Sequence, residues 1–212
     1  MENESRGTSG VATVSQTAGP FFHIGLEWLF SERVVEADAP GLHIAIEGRV
    51  LDGAGAPVSD ALIEVWQADG NGRYARGHTQ QADQQPDRQA DPKDAQQASP
   101  VSPGFRGFAR VPTSNDGGFR LATIKPGRVP APGGGLQAPH ILVALFMRGL
   151  LRHAVTRIYF ADEPSNEEDL VLGRVPASRR STLTARPKPG TPKIFEWNII
   201  MQGLHETVFF DY

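Results

Sequence analysis

The chain of 212 residues contains no cysteine, no long apolar run and no marked excess of either charge. The missing thiols exclude disulfides, thiolate metal sites and a cysteine nucleophile, and they fit a reducing cytoplasm. A net charge of −3 gives no electrostatic reason to bind nucleic acid or an anionic membrane. The first ten residues, MENESRGTSG, lack the basic and apolar regions of a signal peptide. We therefore expect a soluble, cytoplasmic protein.

The composition favours short strands and turns, since glycine and proline contribute 23 and 17 residues. A hydrophobic content of 39% is enough for a core, and the length suits one large all-β domain, with two smaller ones as the alternative. We predict a single β-sandwich domain of about eight strands over residues 1–212. Within it we expect a loose tail at 1–13, an N-terminal docking arm at 14–40 and an exposed insertion loop at 79–103.

Apolar periodicity places the strands. Residues 42–50 alternate, with apolar side chains on one face and polar ones on the other, as in a half-buried strand. Residues 140–148, HILVALFMR, are apolar on both faces, which predicts a central strand buried on both sides. The predicted strands cover residues 42–50, 61–66, 105–111, 119–124, 140–148, 152–160, 194–202 and 206–210, and short helical turns are expected around 166–172 and 177–183.

Residues 42–74 carry the most specific pattern in the chain. They contain G-R-V, a D-x-x-G-x-P turn, the run ALIEVWQAD and a G-x-Y that ends at Tyr74. This order resembles the intradiol ring-cleaving dioxygenases, and nearly the whole chain follows that family. In catalytic members the tyrosine at this position is a ligand of a non-haem ferric ion. A phenolate is a hard anionic donor suited to Fe(III), and a rigid turn fixes its direction.

The resemblance also implies that the iron site of this chain is incomplete. Catalytic members use two tyrosines, the second in a P-G-x-Y-P loop, and two histidines in an H-x-H. This chain keeps Tyr74 and His140 but has Val129 in the loop and Leu142 as the second member of the histidine pair. Valine and leucine offer no lone pair, so we expect no metal in this chain. We interpret Tyr74 and His140 as packed, hydrogen-bonded core residues and relics of the ligand set.

Two further positions depart from the catalytic pattern. Catalytic members carry a substrate-stabilising arginine three residues before the H-x-H, and this chain has Gln137. A glutamine expected on the following strand is matched by Arg157. With these changes, no residue of this chain is assigned a catalytic role.

These losses resemble those of the non-catalytic chain in family members built from two related chains. In such enzymes Fe(III) is bound by the homologous partner chain, and the site lies between the two chains. The resemblance implies that this chain completes the substrate pocket with Thr17, Gly19, Pro20 and Arg148. The substrate would be a small aromatic diol, and an arginine at the pocket mouth can form a charge-assisted hydrogen bond to a ring carboxylate.

The expected function is thus that of a pocket-completing chain in a higher-order hetero-oligomer that uses O2. The aromatic residues of the arm, Phe21, Phe22 and Trp28, are expected at the contact with the partner. Two alternatives stay open. A purely structural β-sandwich subunit predicts that Arg148→Ala leaves the substrate KM unchanged. A self-sufficient catechol dioxygenase with altered ligands predicts stoichiometric iron in the isolated chain.

Overall fold

The computed structural model describes residues 14–19, 24–75 and 101–211, which form eleven strands and few helices. Eight strands have five or more residues and three have two, so the predicted all-β fold with about eight main strands is confirmed. The strands are β1 (His43–Leu51), β2 (Leu62–Gln67), β3 (Phe108–Pro112), β4 (Gly118–Ile124), β5 (Val129–Pro130), β6 (Leu136–Gln137), β7 (His140–Phe146), β8 (Ala154–Phe160), β9 (Thr184–Lys188), β10 (Thr191–Glu196) and β11 (Ile199–Ile200). The helical segments are one α-helix, α1 (Leu170–Arg174), and the 3-10 helices Glu27–Leu29, Pro164–Glu168 and Ala177–Leu183.

The strands form two layers joined along one edge. One layer has the order β3-β2-β7-β8, and the other has the order β4-β1-β10-β9, with β11 also pairing with β1. A short parallel pairing between β8 and β9 connects the layers. The other parallel pairings are those of β10 and β11 with β1. Both neighbours of β7 are long strands, β2 and β8, so its predicted central place is confirmed. Its predicted burial on both sides is wrong, because Leu142, Ala144 and Phe146 on its second face are only half-buried.

The core lies between the layers, because inward-facing residues of both belong to one apolar cluster. That cluster includes Ile63 and Val143 from one layer and Ile46 and Leu121 from the other. Phe160 of β8 and Phe195 of β10 meet edge to face, with their ring centroids 5.2 Å apart. A smaller cluster packs the helical segments on the outer face of β8, with members Ala138, Tyr159, Leu172, Val175 and Leu183.

The predicted strand at 194–202 is wrong in its continuity. β10 ends at Glu196 and β11 begins at Ile199, because the carbonyl of Trp197 bends toward β1. A Cβ on Gly48 would lie 1.7 Å from that oxygen, so only glycine permits the approach. The Asn198 side chain then accepts the Arg49 N–H at 2.9 Å, which a strand backbone would otherwise accept.

The predicted strand at 206–210 is also wrong. Thr207 pairs with Ile200 through its own N–H and its hydroxyl, and Phe210 donates its N–H to Val155 of the other layer. The segment therefore makes isolated hydrogen bonds to two different strands and forms no ladder. The helical turns predicted around 166–172 and 177–183 are confirmed.

The N-terminal arm has one part packed on the core and one part exposed. Ser31, Arg33 and Val35 form isolated bridges to β3, β4 and Phe105, and Val34 is fully buried. Before them, Ile24 and Trp28 are exposed. Residues 1–13, most of the predicted 79–103 loop and Phe21 and Phe22 lie outside the described residues. The single-domain organisation stays a prediction. Within the described residues, no helix is long and apolar enough to cross a membrane.

Candidate functional site

A rigid turn presents Tyr74. Asp69 is fully buried, and its Oδ1 accepts the N–H groups of Asn71 at 2.9 Å and Arg73 at 3.0 Å. Its Oδ2 accepts both the N–H and the hydroxyl of Ser102. Burial alone would raise the pKa of Asp69, but these hydrogen bonds outweigh it and hold the pKa below its ordinary value. The ionised carboxylate therefore fixes the backbone just before Tyr74.

The loop with Val129 packs directly on this turn. Gly127 donates its N–H to the carbonyl of Asp69 at 2.9 Å. A Cβ on Gly72 would lie 1.9 Å from the carbonyl oxygen of Arg128, so glycine is required at this contact. The two loops that supply tyrosine ligands in the family pattern are thus held together here, with Val129 buried at the second position.

His140 opens β7 and is almost completely buried. Its Nδ1–H donates to the carbonyl of Ala138 at 2.7 Å, and its ring lies beside that of Tyr159, with the centroids 5.9 Å apart. Burial and the charge of Arg157 lower the pKa of His140, and they outweigh the Ala138 carbonyl and the Asp169 carboxylate, which raise it. The ring is therefore neutral at neutral pH, as expected of a packed core histidine.

Arg157 lies among the four positions of the family's ligand set, Tyr74, Val129, His140 and Leu142, which we call the relic corner. It pairs across the sheet with Leu142. Its Nη1 donates to the side-chain oxygen of Gln137 at 2.8 Å, and Gln137 pairs with Val129. Its charge also acts on Tyr74 and His140. The two residues exchanged relative to the catalytic pattern, Gln137 and Arg157, therefore bond to each other.

A second series of hydrogen bonds connects Arg157 to the helical segments. Its Nη1 reaches the Tyr159 hydroxyl at 3.4 Å, and that hydroxyl donates to Oδ1 of Asp169 at 3.2 Å. Asp169 also accepts the N–H of Ala138 and caps α1. Burial raises the pKa of the phenols of Tyr74 and Tyr159, and Arg157 opposes that shift. Both phenols are protonated at neutral pH.

The residues present at the relic corner do not fit a ferric ion. Only Tyr74 and His140 carry donor atoms, and Val129 and Leu142 offer none. The guanidinium of Arg157, which is only 9% exposed, adds a positive charge at the same place. No group of three or more His, Cys, Asp or Glu side chains in the described ranges could hold a metal ion. That this chain binds no metal stays a prediction, and the iron analysis below is its test.

The interpretation of Tyr74 as a packed core residue is wrong. Its side chain is 36% exposed, while His140 is 3% exposed. Tyr74 bridges to Ala68 at the end of a glycine-rich turn that lies on the surface. The short run G-R-Y continues the turn and has no apolar alternation, so no strand carries the tyrosine into the core.

Two of the remaining candidate residues, Thr17 and Gly19, lie near the opposite end of β7, where Arg148 follows the strand. Thr17 Oγ1 accepts a hydrogen bond from the N–H of Gly149 at 2.7 Å, although 132 positions separate them. Thr17 and Gly19 line a cavity of about 590 Å³ with residues of the β7–β8 turn and the C-terminal segment. Pro20 lies outside the described residues. The structure thus brings the arm to the residue that follows Arg148.

Arg148 itself is directed toward β2. Its Nε lies 3.1 Å from Oδ2 of Asp60, and its side chain is 71% exposed. It is not among the residues that line the cavity next to Thr17. The roles of Thr17, Gly19, Pro20 and Arg148 in binding substrate stay predictions.

Three aspartates that position these groups were missed in the sequence. Asp69 precedes a Gly-Asn-Gly turn, and Asp169 precedes the apolar start of α1, so turn and capping patterns could have identified both. Asp60 has no comparable signal, because its partner Arg148 is distant in sequence.

Comparison with known proteins gives consistent matches. A family model described as Dioxygenase (Dioxygenase_C) matches residues 29–203. The protocatechuate 3,4-dioxygenase alpha chain of Burkholderia cepacia is 41% identical over 213 residues, which cover 94% of this chain and 96% of that one. The beta chain from the same organism is 30% identical over 200 residues, which cover 91% and 77%.

Solved structures agree on the fold. The dioxygenase domain of a dioxygenase and carbohydrate-binding protein fusion from Streptomyces sp. SirexAA-E superposes with a TM-score of 0.58. The match covers 84% of this chain and 89% of that chain at 23% identity. At that identity the likeness shows the fold alone.

Proposed function

This chain belongs to the intradiol ring-cleaving dioxygenase family, and we propose that it is the alpha chain of a protocatechuate 3,4-dioxygenase. It would pair with a homologous beta chain that holds the ferric ion, and several such pairs would form a higher-order oligomer. Its role is to complete the substrate pocket of the beta chain. We place the enzyme in the cytoplasm, which agrees with a chain that has no cysteine.

The observation that carries this proposal is the contact between the arm and the end of β7. Thr17 accepts the N–H of Gly149, so the arm lies next to the residue that follows Arg148. The family resemblance had predicted that Thr17 and Arg148, which are distant in sequence, belong to one pocket. The hydrogen bond holds Gly149 at φ +88°, a conformation that a residue with a side chain rarely adopts. The contact therefore supports a joint role for the arm and the end of β7.

The relic corner supports the assignment of the metal to the partner. It holds two donor residues, a buried cation and two aliphatic side chains, so a ferric ion would lack half of the family's ligands. In the proposed reaction both atoms of O2 enter protocatechuate and the ring opens between its hydroxyls, giving 3-carboxy-cis,cis-muconate. This chain would contribute binding and orientation: the Arg148 guanidinium would donate to the ring carboxylate, and the backbone at Gly19 would close the pocket edge.

The exposed part of the arm supports a chain partner. Trp28 is 80% exposed and Ile24 58%, and both lie in the segment before the arm reaches the core. Large apolar side chains grouped on a surface are typical of a protein interface, where tryptophan often anchors binding. Contact with the beta chain would cover them.

Co-expression with the beta chain tests the proposal. We expect iron and protocatechuate-dependent O2 uptake in the pair and neither in this chain alone. In the pair, Arg148→Ala should raise the KM for protocatechuate about tenfold or more, since a charge-assisted hydrogen bond contributes about 1.5–3 kcal/mol. Arg148→Lys, which keeps the charge, should recover part of that loss.

Two other results would contradict the proposal. Iron and turnover in the lone chain would make it a self-sufficient dioxygenase. Altered assembly with an unchanged KM in the Arg148→Ala pair would leave this chain a structural subunit. The existing ion pair between Arg148 and Asp60 is the observation that favours this second reading.

A further inference from the structure

Asp60 and Arg148 face each other because of the register between β2 and β7. These strands are antiparallel, with Leu62 opposite Phe146. Continued past the strand ends, to two residues before Leu62 and two after Phe146, this register places Asp60 opposite Arg148, and their side chains form an ion pair of 3.1 Å. The pair is thus set by the sheet and does not depend on a chance meeting of two long surface side chains.

The ion pair uses one side of the guanidinium and leaves the other available. Asp60 Oδ2 contacts Nε of Arg148. Within the described ranges no other hydrogen bond or ion pair involves the Arg148 side chain, so both Nη atoms can donate elsewhere. A guanidinium is planar, and contact at Nε fixes the direction of the fork formed by the Nη atoms. That fork matches the two oxygens of a carboxylate.

Stability alone does not explain Asp60. Its Oδ1 is buried and has no hydrogen-bond partner among the described residues, which is unfavourable for a carboxylate oxygen. The ion pair that accompanies this burial includes an arginine side chain that is 71% exposed, and such pairs stabilise a fold little. An ion pair that stabilises the fold little leaves room for a role of Asp60 beyond stability.

The backbone on the other side of Arg148 is held as well. Gly149 follows directly, and its N–H is bound by Thr17. Arg148 is therefore constrained through its side chain by Asp60 and through its neighbouring backbone by the arm. Both constraints act on a residue whose side chain remains mostly exposed.

We propose that Asp60 is a positioning residue: it orients the Arg148 guanidinium so that its Nη atoms receive the carboxylate of the aromatic substrate. This inference rests on the proposed function, because it takes Arg148 as the group that binds the carboxylate. It adds a determinant of specificity for carboxylated over plain diols. Without Asp60 the arginine keeps its charge but samples many directions, and binding of the carboxylate becomes weaker.

The test uses the assembled enzyme with the beta chain. Asp60→Asn should raise the KM for protocatechuate about fivefold, with kcat and iron content unchanged, and Asp60→Glu should recover part of the loss. The inhibition constant of catechol, which lacks the carboxylate, should stay unchanged. In the double variant with Arg148→Ala, the Asp60→Asn change should add nothing. Asp116→Asn is the matched control, since it breaks an exposed pair with Arg49 at the same 3.1 Å distance.

The outcomes separate this inference from the proposed function. If Arg148→Ala raises the KM but Asp60→Asn does not, only the role of Asp60 is overturned. If Arg148→Ala also leaves the KM unchanged, the pocket contribution itself fails. A lower KM in Asp60→Asn would overturn the inference by showing that Asp60 competes with the substrate. Equal changes in the KM for protocatechuate and in the inhibition constant of catechol would overturn it too, because they would indicate a general structural effect.

Discussion

The two ends of β7 have opposite characters. At its beginning, His140 is 3% exposed and faces an internal network in which Arg157 bonds to Gln137 and Tyr159 of the same chain. Just past its end, Arg148 has a side chain that is 71% exposed and is held at one edge by Asp60. One arginine lies near each end, Arg157 of the neighbouring β8 at the beginning and Arg148 just past the end. The first arginine is bound by the chain itself, and the second has donors available for another molecule.

Under the proposed function, this difference explains how one strand can lack a metal site at one end and serve binding at the other. Where a ligand position is buried, as at Val129 and His140, its space must stay filled when the ligands change, because a buried cavity or an unpaired buried charge is unfavourable. At the relic corner, Val129 and Arg157 are buried and Leu142 is half-buried. The other end faces solvent and tolerates a charged side chain without such compensation. We call the beginning of β7 the closed end, because its side chains bond to one another, and the region of Arg148 the open end, because it faces solvent.

The largest expected effect is on iron binding at the closed end. Restoring the donors with Val129→Tyr and Leu142→His should not produce an iron site while Arg157 is present. Charges of +1 and +3 about 5 Å apart repel by about 10 kcal/mol at an effective dielectric constant of 20. Adding Arg157→Gln should give about one ferric ion per chain after incubation with iron and removal of the excess, measured by elemental analysis.

Arg157→Gln alone is the control and should bind no iron, since two donor residues are too few. Thermal unfolding of each variant shows whether the larger aromatic side chain that replaces Val129 is accommodated. If the variant with only the two restored ligands binds as much iron as the triple variant, the charge of Arg157 does not prevent iron binding at the relic corner.

A smaller effect is expected on the free energy of unfolding, which substitutions at the two ends should lower by different amounts. His140→Ala removes a buried ring and leaves the Ala138 carbonyl without its donor, so it should lower the free energy of unfolding by about 2–3 kcal/mol. Arg148→Ala removes an exposed side chain and should change it by less than about 0.5 kcal/mol. Urea unfolding of the purified chain compares them, and equal losses would mean that the edge is as much a part of the folded core as the corner.

Alternating side chains predicted β1 well but overstated the continuity of the strand at 194–202. In β1, Ile44, Ile46 and Val50 are buried as the period of two indicates, and residues 42–50 correspond to a strand from His43 to Leu51. β9 was missed because only Ala185 is buried in it and Pro187 interrupts its pattern. Strands at a junction between layers are stabilised by their neighbours, and their own sequence carries little signal.

The sequence singled out the candidate residues, whose roles stay predictions, but it did not indicate their pairings. The family pattern indicated that Gln137 and Arg157 are exchanged, but not that they bond to each other at 2.8 Å. The ion pair of Asp60 with Arg148 follows from the register of β2 on β7, and register depends on the whole sheet. Contacts between distant segments therefore required the structure, because a pairing across the sheet leaves no signal in either segment alone.

The smallest expected effect is at the hydrogen bond that holds the arm to the open end. Thr17→Val removes the oxygen that accepts the Gly149 N–H and keeps the shape of the side chain. An exposed hydrogen bond of this kind contributes about 1 kcal/mol, so exchange of the Gly149 amide hydrogen should become about fivefold faster. The KM for protocatechuate should rise about twofold in the assembled enzyme, while the free energy of unfolding changes by less than about 0.5 kcal/mol. Thr17→Ser, which keeps the hydroxyl, should behave like the parent chain. An unchanged exchange rate in Thr17→Val would show that the arm does not hold Gly149 in solution, and the open end would then depend on Asp60 alone.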